Sequence, residues 1–274
     1  MKQSKQGDGV LSMFCGNRKA LFGLLNALRS NICLGRRQAC EIGVLFGLAF
    51  FVWMPLKVKR VFAKREKSYK TGDNTMDLTP PMFDGSISLE KAIKQRRTIR
   101  SFRDKPITIK QFSQILWAAQ GITDDGGFKR ASPSAGALYP LDIWTVVGRN
   151  AVENLDMGVY HYKPRDHSIK KATDRDLRKD VAIASLSQMW MAKAPVLFVI
   201  TAEYARITIK YGDRGIRYAQ MEVGHSCQNI FLQCQTMGLS AGIVGAFHDR
   251  KVAKIVGVAK NHEPLIIMPV GWQA

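Results

Sequence analysis

The sequence contains few acidic residues and few cysteines. Among its 274 residues, 22 are Asp or Glu and 41 are Lys or Arg, so the formal net charge is +19. The five cysteines include no CxxC pair, and the five histidines form neither HxH nor HExxH, which argues against a disulfide framework and a structural metal site. GxGxxG and GxxxxGK motifs are also absent, which argues against Rossmann and Walker phosphate sites.

The positive charge is concentrated near the N-terminus. Residues 1–70 contain 14 basic and 3 acidic side chains, a net charge of +11, whereas the remaining 204 residues carry +8. A nucleic-acid-binding domain would place its basic excess on the folded body. We therefore expect no nucleic-acid partner.

An apolar run without charged residues occupies residues 42–56, between basic residues on both sides. As a helix it would be about 22 Å long, shorter than a hydrocarbon core of about 30 Å. The run suits a signal-peptide core, a tilted single anchor or a segment lying on the membrane, and these alternatives stay open. We expect membrane association through this run; without it, the protein would be cytoplasmic.

A polar, turn-rich stretch at residues 71–84 follows this basic extension of residues 1–70. We predict a linker there and one folded domain at residues 85–274. A GxSxG pattern at Gly238–Gly242 has a helix before it and a strand after it, the reverse of a hydrolase nucleophile elbow. Gly238 is therefore interpreted as the end of a helix.

Helical and strand periodicities alternate within the predicted domain. Ser88 and Thr108 precede periodic apolar stretches and are expected to cap helices. A longer helix is predicted at 213–238, where apolar residues recur every three or four positions, as in a core helix or a dimer seam. Strands are predicted at 141–147, 195–201, 240–246 and 265–270, and a short helix at 249–257. The domain is expected to be α+β.

Three segments combine basic, small and glycine residues. Within residues 96–102, an extended chain would align Arg96, Thr98 and Arg100 on one side, which suits a phosphate plus a second anionic or carbonyl-rich group, although a solvated basic strand fits too. The sequence SPSAGALYP at 132–140 would let the backbone lie against a flat ligand, or form an ordinary tight loop. The two glycines within 241–247 would expose backbone N–H groups to a ligand, or form a bulge.

Together these segments resemble the nitroreductase family of flavoproteins, and within it the thiazoline- and oxazoline-oxidising SagB-type dehydrogenases. The matching motifs are RRTIRSF at 96–102, SPSAG at 132–136 with Tyr139-Pro140, KYGDRGIRY at 210–218, EVGHSCQN at 222–229 and PLIIMPVG at 264–271. The resemblance covers about residues 85–274.

The resemblance implies a nitroreductase-like sandwich with a central antiparallel-type mixed sheet, a long core helix and an intertwined homodimer that binds two FMN molecules at its interface. It implies an FMN-dependent oxidoreductase that transfers hydride through flavin N5. The donor would be NAD(P)H or an azoline-like substrate, and the substrate a small molecule or a modified peptide. The alternative is a non-catalytic, membrane-tethered flavin-binding or maturation module on the same fold.

The resemblance also assigns residues to FMN. Arg96 and Thr98 would hold the phosphate, Arg100 the N1/C2 edge, and the backbone of Val244 and Gly245 would lie near N5. The complete set is Arg96, Arg97, Thr98, Arg100, Pro133, Ser134, Ala135, Gly136, Val244 and Gly245, with Ser134 to Gly136 coming from the second chain. No metal is implied.

Lys210 and Tyr211 occupy the place of the pair that abstracts a proton in azoline oxidases, although a helix-terminal Lys beside an interface Tyr is the alternative. His225 is interpreted as an interface histidine. The arginine that often follows the final PVG in relatives is missing here. We therefore expect Arg130 or Arg250 to replace it, or phosphate binding to be weaker.

Overall fold

The computed structural model describes residues 74–274. The basic extension at residues 1–70 and its apolar run at 42–56 lie outside the described residues. Among residues 74–274, no helix is both long and apolar enough to cross a membrane.

Seven strands and six helices make up the described part of the chain. The strands are β1 Thr75–Asp77, β2 Leu141–Val147, β3 Gly158–Lys163, β4 Ser168–Thr173, β5 Val196–Ala202, β6 Ser240–Ala241 and β7 Glu263–Gly271. The helices are α1 Leu89–Gln95, α2 Ile109–Gln120, α3 Arg178–Ala184, α4 Ala205–Tyr211, α5 Arg214–Thr236 and α6 Asp249–Val256.

The strands form one sheet in the order β1-β4-β3-β2-β5-β7-β6, and every pair of named neighbours is antiparallel. The predicted α+β class and antiparallel-type sheet are therefore confirmed. Residues Thr75–Asp77 fall within the predicted linker at 71–84, yet they pair with β4, and Met76 packs against the core.

Helices cover both faces of the sheet. In β5, Phe198 and Ile200 pack with the buried side chains of α2 and α5, whereas Leu197 and Val199 pack with those of α3 and α6. Because both faces of β5 are covered, all seven of its residues are buried, and the strand shows no polar alternation in its sequence.

The predicted helix caps are present. The Ser88 side chain accepts a hydrogen bond from the Lys91 backbone, and Thr108 forms a reciprocal capping box with Gln111. Helix α5 ends just before Gly238, whose φ of 69° is the left-handed geometry expected of a helix stop.

The apolar stripe on α5 is buried only along its middle, from Ala219 to Cys234. Ile216 at the start of the stripe is 38% exposed, and Met221, which lies off the stripe, is 47% exposed. A second difference from the prediction is β6, which ends at Ala241, since Val244 makes only an isolated bridge to Ile267.

Candidate functional site

The arginine segment begins where α1 ends. Arg97 donates hydrogen bonds from Nη1 to the carbonyl oxygens of Lys94 at 3.0 Å and Arg96 at 2.9 Å, so its guanidinium caps its own helix. The Arg96 guanidinium lies 5.2 Å from the ring centroid of Phe231, in the C-terminal half of α5. Arg96 is half-buried, while Arg97 and Arg100 are exposed.

Two of the three predicted segments meet beside β6. Thr98 forms an isolated parallel bridge with Ala241, and the Ile99 N–H donates to the Ala241 carbonyl at 3.0 Å. A Cβ at Gly242 would lie 2.7 Å from the Ile99 carbonyl oxygen and 2.9 Å from the Trp190 ring. Glycine at 242 therefore permits the close approach of the two segments.

The backbones of Val244 and Gly245 were both predicted to contact the flavin, but the two residues differ in hydrogen bonding and exposure. The Val244 N–H donates to Ile267 O at 2.8 Å, and the Val244 carbonyl accepts from Ile267 N at 2.9 Å. The bridge to β7 thus occupies the Val244 N–H, so this donor is not available to a flavin. Gly245 is exposed, and it is the residue of the pair that can offer an N–H to a ligand.

The SPSAG loop is fixed to α2 and α5 by side-chain hydrogen bonds. Ser132 Oγ donates to the Ala119 carbonyl at 2.8 Å, and Asn229 Nδ2 donates to Ser132 Oγ at 3.2 Å. Ser132 is buried and Pro133 is exposed, and Ser134 Oγ accepts from the Tyr139 N–H at 2.9 Å. The short 3₁₀ turn Ala135–Ala137 follows.

Gly136 brings this loop against the predicted catalytic pair. Its φ is 63°, and a Cβ there would lie 2.8 Å from the Tyr211 hydroxyl and 3.1 Å from Lys210 Nζ. The Tyr211 ring also contacts Tyr218 near the start of α5, with 5.2 Å between ring centroids. Gly136, Lys210 and Tyr211 of the same chain therefore lie together, and they are called the Gly136 group below.

Arg206 attaches the helix that carries Lys210 and Tyr211 to β2. Its Nη2 donates to Asp142 Oδ2 at 2.8 Å, its Nε donates to Glu203 at 2.6 Å, and its Nη1 reaches the Tyr139 carbonyl at 3.4 Å. Burial alone would raise the pKa of Asp142, but contacts with His161 and Arg206 outweigh it and hold that pKa well below its usual range.

A buried carboxyl lies beneath the SPSAG loop. Glu222 is 1% exposed, and burial raises its pKa to about 7 although the neighbouring Ser134 and Gln120 side chains act to lower it. Gln120 Nε2 donates to Glu222 Oε1 at 3.3 Å, and Arg130 Nη1 donates to Gln120 Oε1 at 3.3 Å. Oε2 of Glu222 is buried without a hydrogen-bond partner.

Sequence reasoning gave Glu222 no role, although a signal was present. Glu222, Ser226 and Asn229 are four and three residues apart, so they share one face of α5. Ser226 Oγ and Asn229 Nδ2 donate to the carbonyls of Ala119 and Ala118. This polar face points to the end of α2 and to the loop.

The two groups of site residues lie at different heights along α5. The arginine segment contacts the helix at Phe231, and the Gly136 group contacts it at Tyr218 through Tyr211. With a rise of about 1.5 Å per residue, these two positions are about 20 Å apart.

The comparison with protein families decides the identity of this fold. The nitroreductase family profile matches residues 93–272, which is most of the described chain. The chain belongs to the nitroreductase family. It is therefore an oxidoreductase of that family, as the resemblance in the sequence implied.

Individual relatives agree with the family and with its predicted branch. A nitroreductase-family protein of Methanocaldococcus jannaschii is 42% identical over 198 residues, which are 72% of this chain and 97% of that protein. The microcin B17-processing protein McbC of Escherichia coli is 28% identical over 178 residues, 62% of this chain and 65% of McbC. The predicted resemblance to SagB-type dehydrogenases is thereby confirmed.

Solved structures show the same nitroreductase fold. The E. coli microcin synthetase McbBCD complex, with truncated pro-MccB17 bound, matches with a TM-score of 0.56 and 25% identity, over 80% of this chain and 82% of that one. A nitroreductase-family structure from Ralstonia eutropha matches with a TM-score of 0.62 and 24% identity, over 74% and 91% of the two chains.

In this nitroreductase-family chain, Trp272 stands where an arginine was expected after the last strand. The Trp272 indole donates to the Pro106 carbonyl, and the Trp272 carbonyl accepts from the Arg103 N–H at 2.9 Å. Of the two suggested replacements, Arg130 lies with the SPSAG loop, 4.3 Å above the Tyr139 ring, and Arg250 is exposed on α6.

Proposed function

We propose that this protein is an FMN-dependent oxidoreductase that works as a homodimer, with each flavin bound between the two chains. The observation that carries the proposal is the separation along α5. The arginine segment and the Gly136 group each suit one part of FMN, yet they contact the same helix about 20 Å apart. A second copy of the chain would bring one group of each kind to a single flavin.

The residues beside β6 fit the phosphate end and one ring edge of FMN. Arg96 and Arg100 supply permanent positive charge, and the Thr98 hydroxyl can donate to a phosphate oxygen. Gly245 is exposed, so its backbone N–H can face a ligand. The Arg97 guanidinium is engaged at the end of α1, so in this proposal Arg97 supports the segment and does not hold the cofactor directly.

The SPSAG loop fits the flat face of the ring system from the second chain. Its small residues Ser134, Ala135 and Gly136 leave the backbone accessible, and Lys210 and Tyr211 stand directly behind Gly136. This arrangement would put an amine and a phenol next to the flavin and its substrate.

An exposed face in the middle of α5 supports the homodimer. Met221, Gly224, His225 and Gln228 are all exposed, and a Cβ at Gly224 would meet nothing within 4 Å. A glycine at the centre of such a face allows two helices to approach closely. His225 would then be an interface residue.

Bound FMN would supply a two-electron carrier that accepts and returns hydride at N5. The Arg100 guanidinium would stabilise negative charge at the N1/C2 edge. Tyr211 and Lys210 would move a proton at the substrate, as removal of a hydride from an azoline ring also requires loss of a proton. The donor would be NAD(P)H or an azoline-like substrate. That substrate is a small molecule or a modified peptide, and the truncated pro-MccB17 bound in the McbBCD complex favours the peptide.

The absorbance spectrum of the purified full chain tests this proposal. We expect flavin bands, released FMN after denaturation, and bleaching under anaerobic conditions with NADPH or with an azoline peptide. Flavin that no donor reduces would instead support the non-catalytic binding or maturation module. A folded protein that binds no FMN after soaking would contradict the proposal.

A further inference from the structure

Helix α4, which carries Lys210 and Tyr211, has little apolar packing to hold it in place. Of its seven residues, only Ile207 is buried. The Ile207 carbonyl oxygen lies 3.0 Å from the Cβ position on Gly215, so α4 touches α5 closely at this one point. A short helix with so little buried surface is not expected to keep a fixed position by packing alone.

Arg206 of this helix binds two carboxylates at once. Its Nη1 and Nη2 donate to the two oxygens of Asp142 at 3.2 and 2.8 Å, and its Nε donates to Glu203 at 2.6 Å. A bidentate arginine–carboxylate pair fixes direction as well as distance. The Asp142 side chain is only 14% exposed, so solvent weakens this pair less than it weakens a surface salt bridge.

Both carboxylates are themselves held in place. Asp142 lies in β2, which is paired on its two sides with β3 and β5. The Glu203 backbone N–H donates to the Pro140 carbonyl at 2.9 Å, and Glu203 Oε1 accepts from Asn261 Nδ2 at 2.7 Å. Arg206 therefore ties a weakly packed helix to residues that the sheet and its connecting segments fix.

Arg206 and Lys210 contact the same loop one helical turn apart. They are separated by four positions, so they share one face of α4. Arg206 Nη1 reaches the Tyr139 carbonyl at 3.4 Å, and Lys210 Nζ lies 3.1 Å from the Cβ position on Gly136. The first contact thus sets the distance between helix and loop at which the second is made.

We propose that Arg206 is a positioning residue that holds Lys210 and Tyr211 against Gly136 for proton transfer. It acts through α4 and touches neither the substrate nor the cofactor. Without it, α4 moves away from the loop and the pair leaves its working geometry, and a misplacement of about 1 Å can cost about a hundredfold in rate. The inference rests on the proposed function, in which the azoline ring gives its hydride to FMN and its proton to the pair.

The first measurement is anaerobic flavin reduction by a thiazoline-containing peptide, with the full-length protein loaded with FMN. In Arg206→Ala, the limiting rate should fall about 10- to 100-fold, while the half-saturating peptide concentration stays nearly unchanged. Arg206→Lys keeps the charge but loses the forked geometry, so it should recover only part of the rate. A wild-type limiting rate in Arg206→Ala would overturn the proposal.

Arg178→Ala is the matched control. Arg178, in α3, binds Asp176 through Nε and Nη2 at 2.9 and 2.7 Å, so the variant loses a comparable bidentate pair away from α4. It should keep the wild-type rate of flavin reduction. An equal loss of rate in Arg178→Ala and Arg206→Ala would indicate general destabilisation and overturn the positioning role.

A double-mutant cycle separates positioning from a general structural role. In a background of Lys210→Met with Tyr211→Phe, Arg206→Ala should slow flavin reduction by less than about threefold, because the groups that Arg206 positions are already missing. If Arg206→Ala slows this background as strongly as it slows the wild type, Arg206 does not act through the pair.

Hydrogen exchange of the full chain without FMN tests the attachment of α4 independently of any substrate. In Arg206→Ala, the amides of residues 208–212 and 137–139 should lose at least about tenfold of their protection, while Arg178→Ala leaves both segments unchanged. Unchanged protection in Arg206→Ala would overturn the proposal. Wild-type flavin that no azoline peptide reduces would contradict the proposed function instead, and the exchange measurement would still test Arg206.

Asp142→Asn covers the case in which Arg206→Ala does not fold. It keeps Arg206 but removes the charge of its bidentate partner, so the limiting rate and the protection of residues 208–212 should both fall, by about threefold to tenfold. An Asp142→Asn protein with the wild-type rate and wild-type exchange in α4 would contradict the proposal.

Discussion

The Tyr211 hydroxyl lies only 2.8 Å from the position that a Cβ atom on residue 136 would occupy. It therefore stands where the side chain of any residue other than glycine would begin. Two motifs that are 75 positions apart in the sequence, the SPSAG loop and the Lys-Tyr pair, thus share one contact. The backbone of Gly136 has a φ of 63°, which glycine adopts at little cost. The close Tyr211 hydroxyl and the positive φ thus both favour glycine at position 136.

Replacing Gly136 tests this contact. Gly136→Ala should displace Tyr211 and Lys210 and lower turnover at least about tenfold, because misplacing catalytic groups by an ångström has effects of that size or greater. Backbone strain should add a loss of stability of about 1 kcal/mol. Steady-state rates and thermal unfolding measure the two effects.

Gly127→Ala is the matched control, since Gly127 has a φ of 73° and a Cβ there would meet nothing within 4 Å. It should show the same loss of stability with unchanged turnover. If both alanine variants keep wild-type rates, the contact between Gly136 and the pair has no catalytic importance.

Tyr211→Phe and Lys210→Met test the proton-transfer role. Both should retain FMN and its reduction by NADPH, but the oxidation of an azoline substrate should slow by about 10²- to 10⁴-fold. Single-turnover flavin reduction, measured once with NADPH and once with the azoline substrate, separates reduction of the flavin from proton transfer at the azoline. Tyr218→Phe, at the ring that touches Tyr211, should remain active, and equal loss in all three variants would indicate a structural role.

Asp142 should make the protein sensitive to acid. Its pKa is depressed in the folded protein, so its stabilising contribution is present above its unfolded pKa of about 4 and is lost as the pH falls below that value. Asp142→Asn should cost about 2 kcal/mol at pH 7 through weaker hydrogen bonds to Arg206. The melting temperature of Asp142→Asn should fall less steeply than that of the wild type from pH 5 to pH 2, and parallel curves would contradict this assignment.

Gly224→Trp tests the face proposed for dimer contact. The indole has space in the single chain, so the variant should fold, but it should be a monomer by light scattering and should lose most of its flavin. Lys251→Trp, on the exposed side of α6, is the control and should remain a dimer. A Gly224→Trp dimer with full flavin would place the interface elsewhere.

Local signals in the sequence predicted much of the fold. Thr108 with Gln111, the apolar stripe of α5 and the uninterrupted apolar run of β5 each depend on neighbours within a few positions. Helix α4 was not predicted, because only Ile207 among its seven residues is buried and its sequence has no clear apolar face.

The candidate site could be predicted only in part. The motifs named segments that remain a prediction for the site, and the occupied N–H of Val244 follows from its pairing with Ile267, which lies beyond α6 in the sequence. The contact between Glu222 and Gln120 joins positions 102 apart, and no local pattern encodes that distance. Nothing local in the sequence indicated that the Arg97 guanidinium donates to the carbonyls of Lys94 and Arg96 at the end of α1, and its place at the cofactor stays a prediction.

A mixed-dimer experiment tests most directly whether each flavin is held by two chains. One chain carries Arg96→Ala with Arg100→Ala, the other carries Gly136→Trp, and each variant alone should form a dimer that holds no flavin. When the two are co-expressed in equal amounts, half of the dimers are mixed and each has one intact site, so flavin should return to about a quarter of the wild-type content. Mixed dimers that form but remain free of flavin would contradict a site shared between chains.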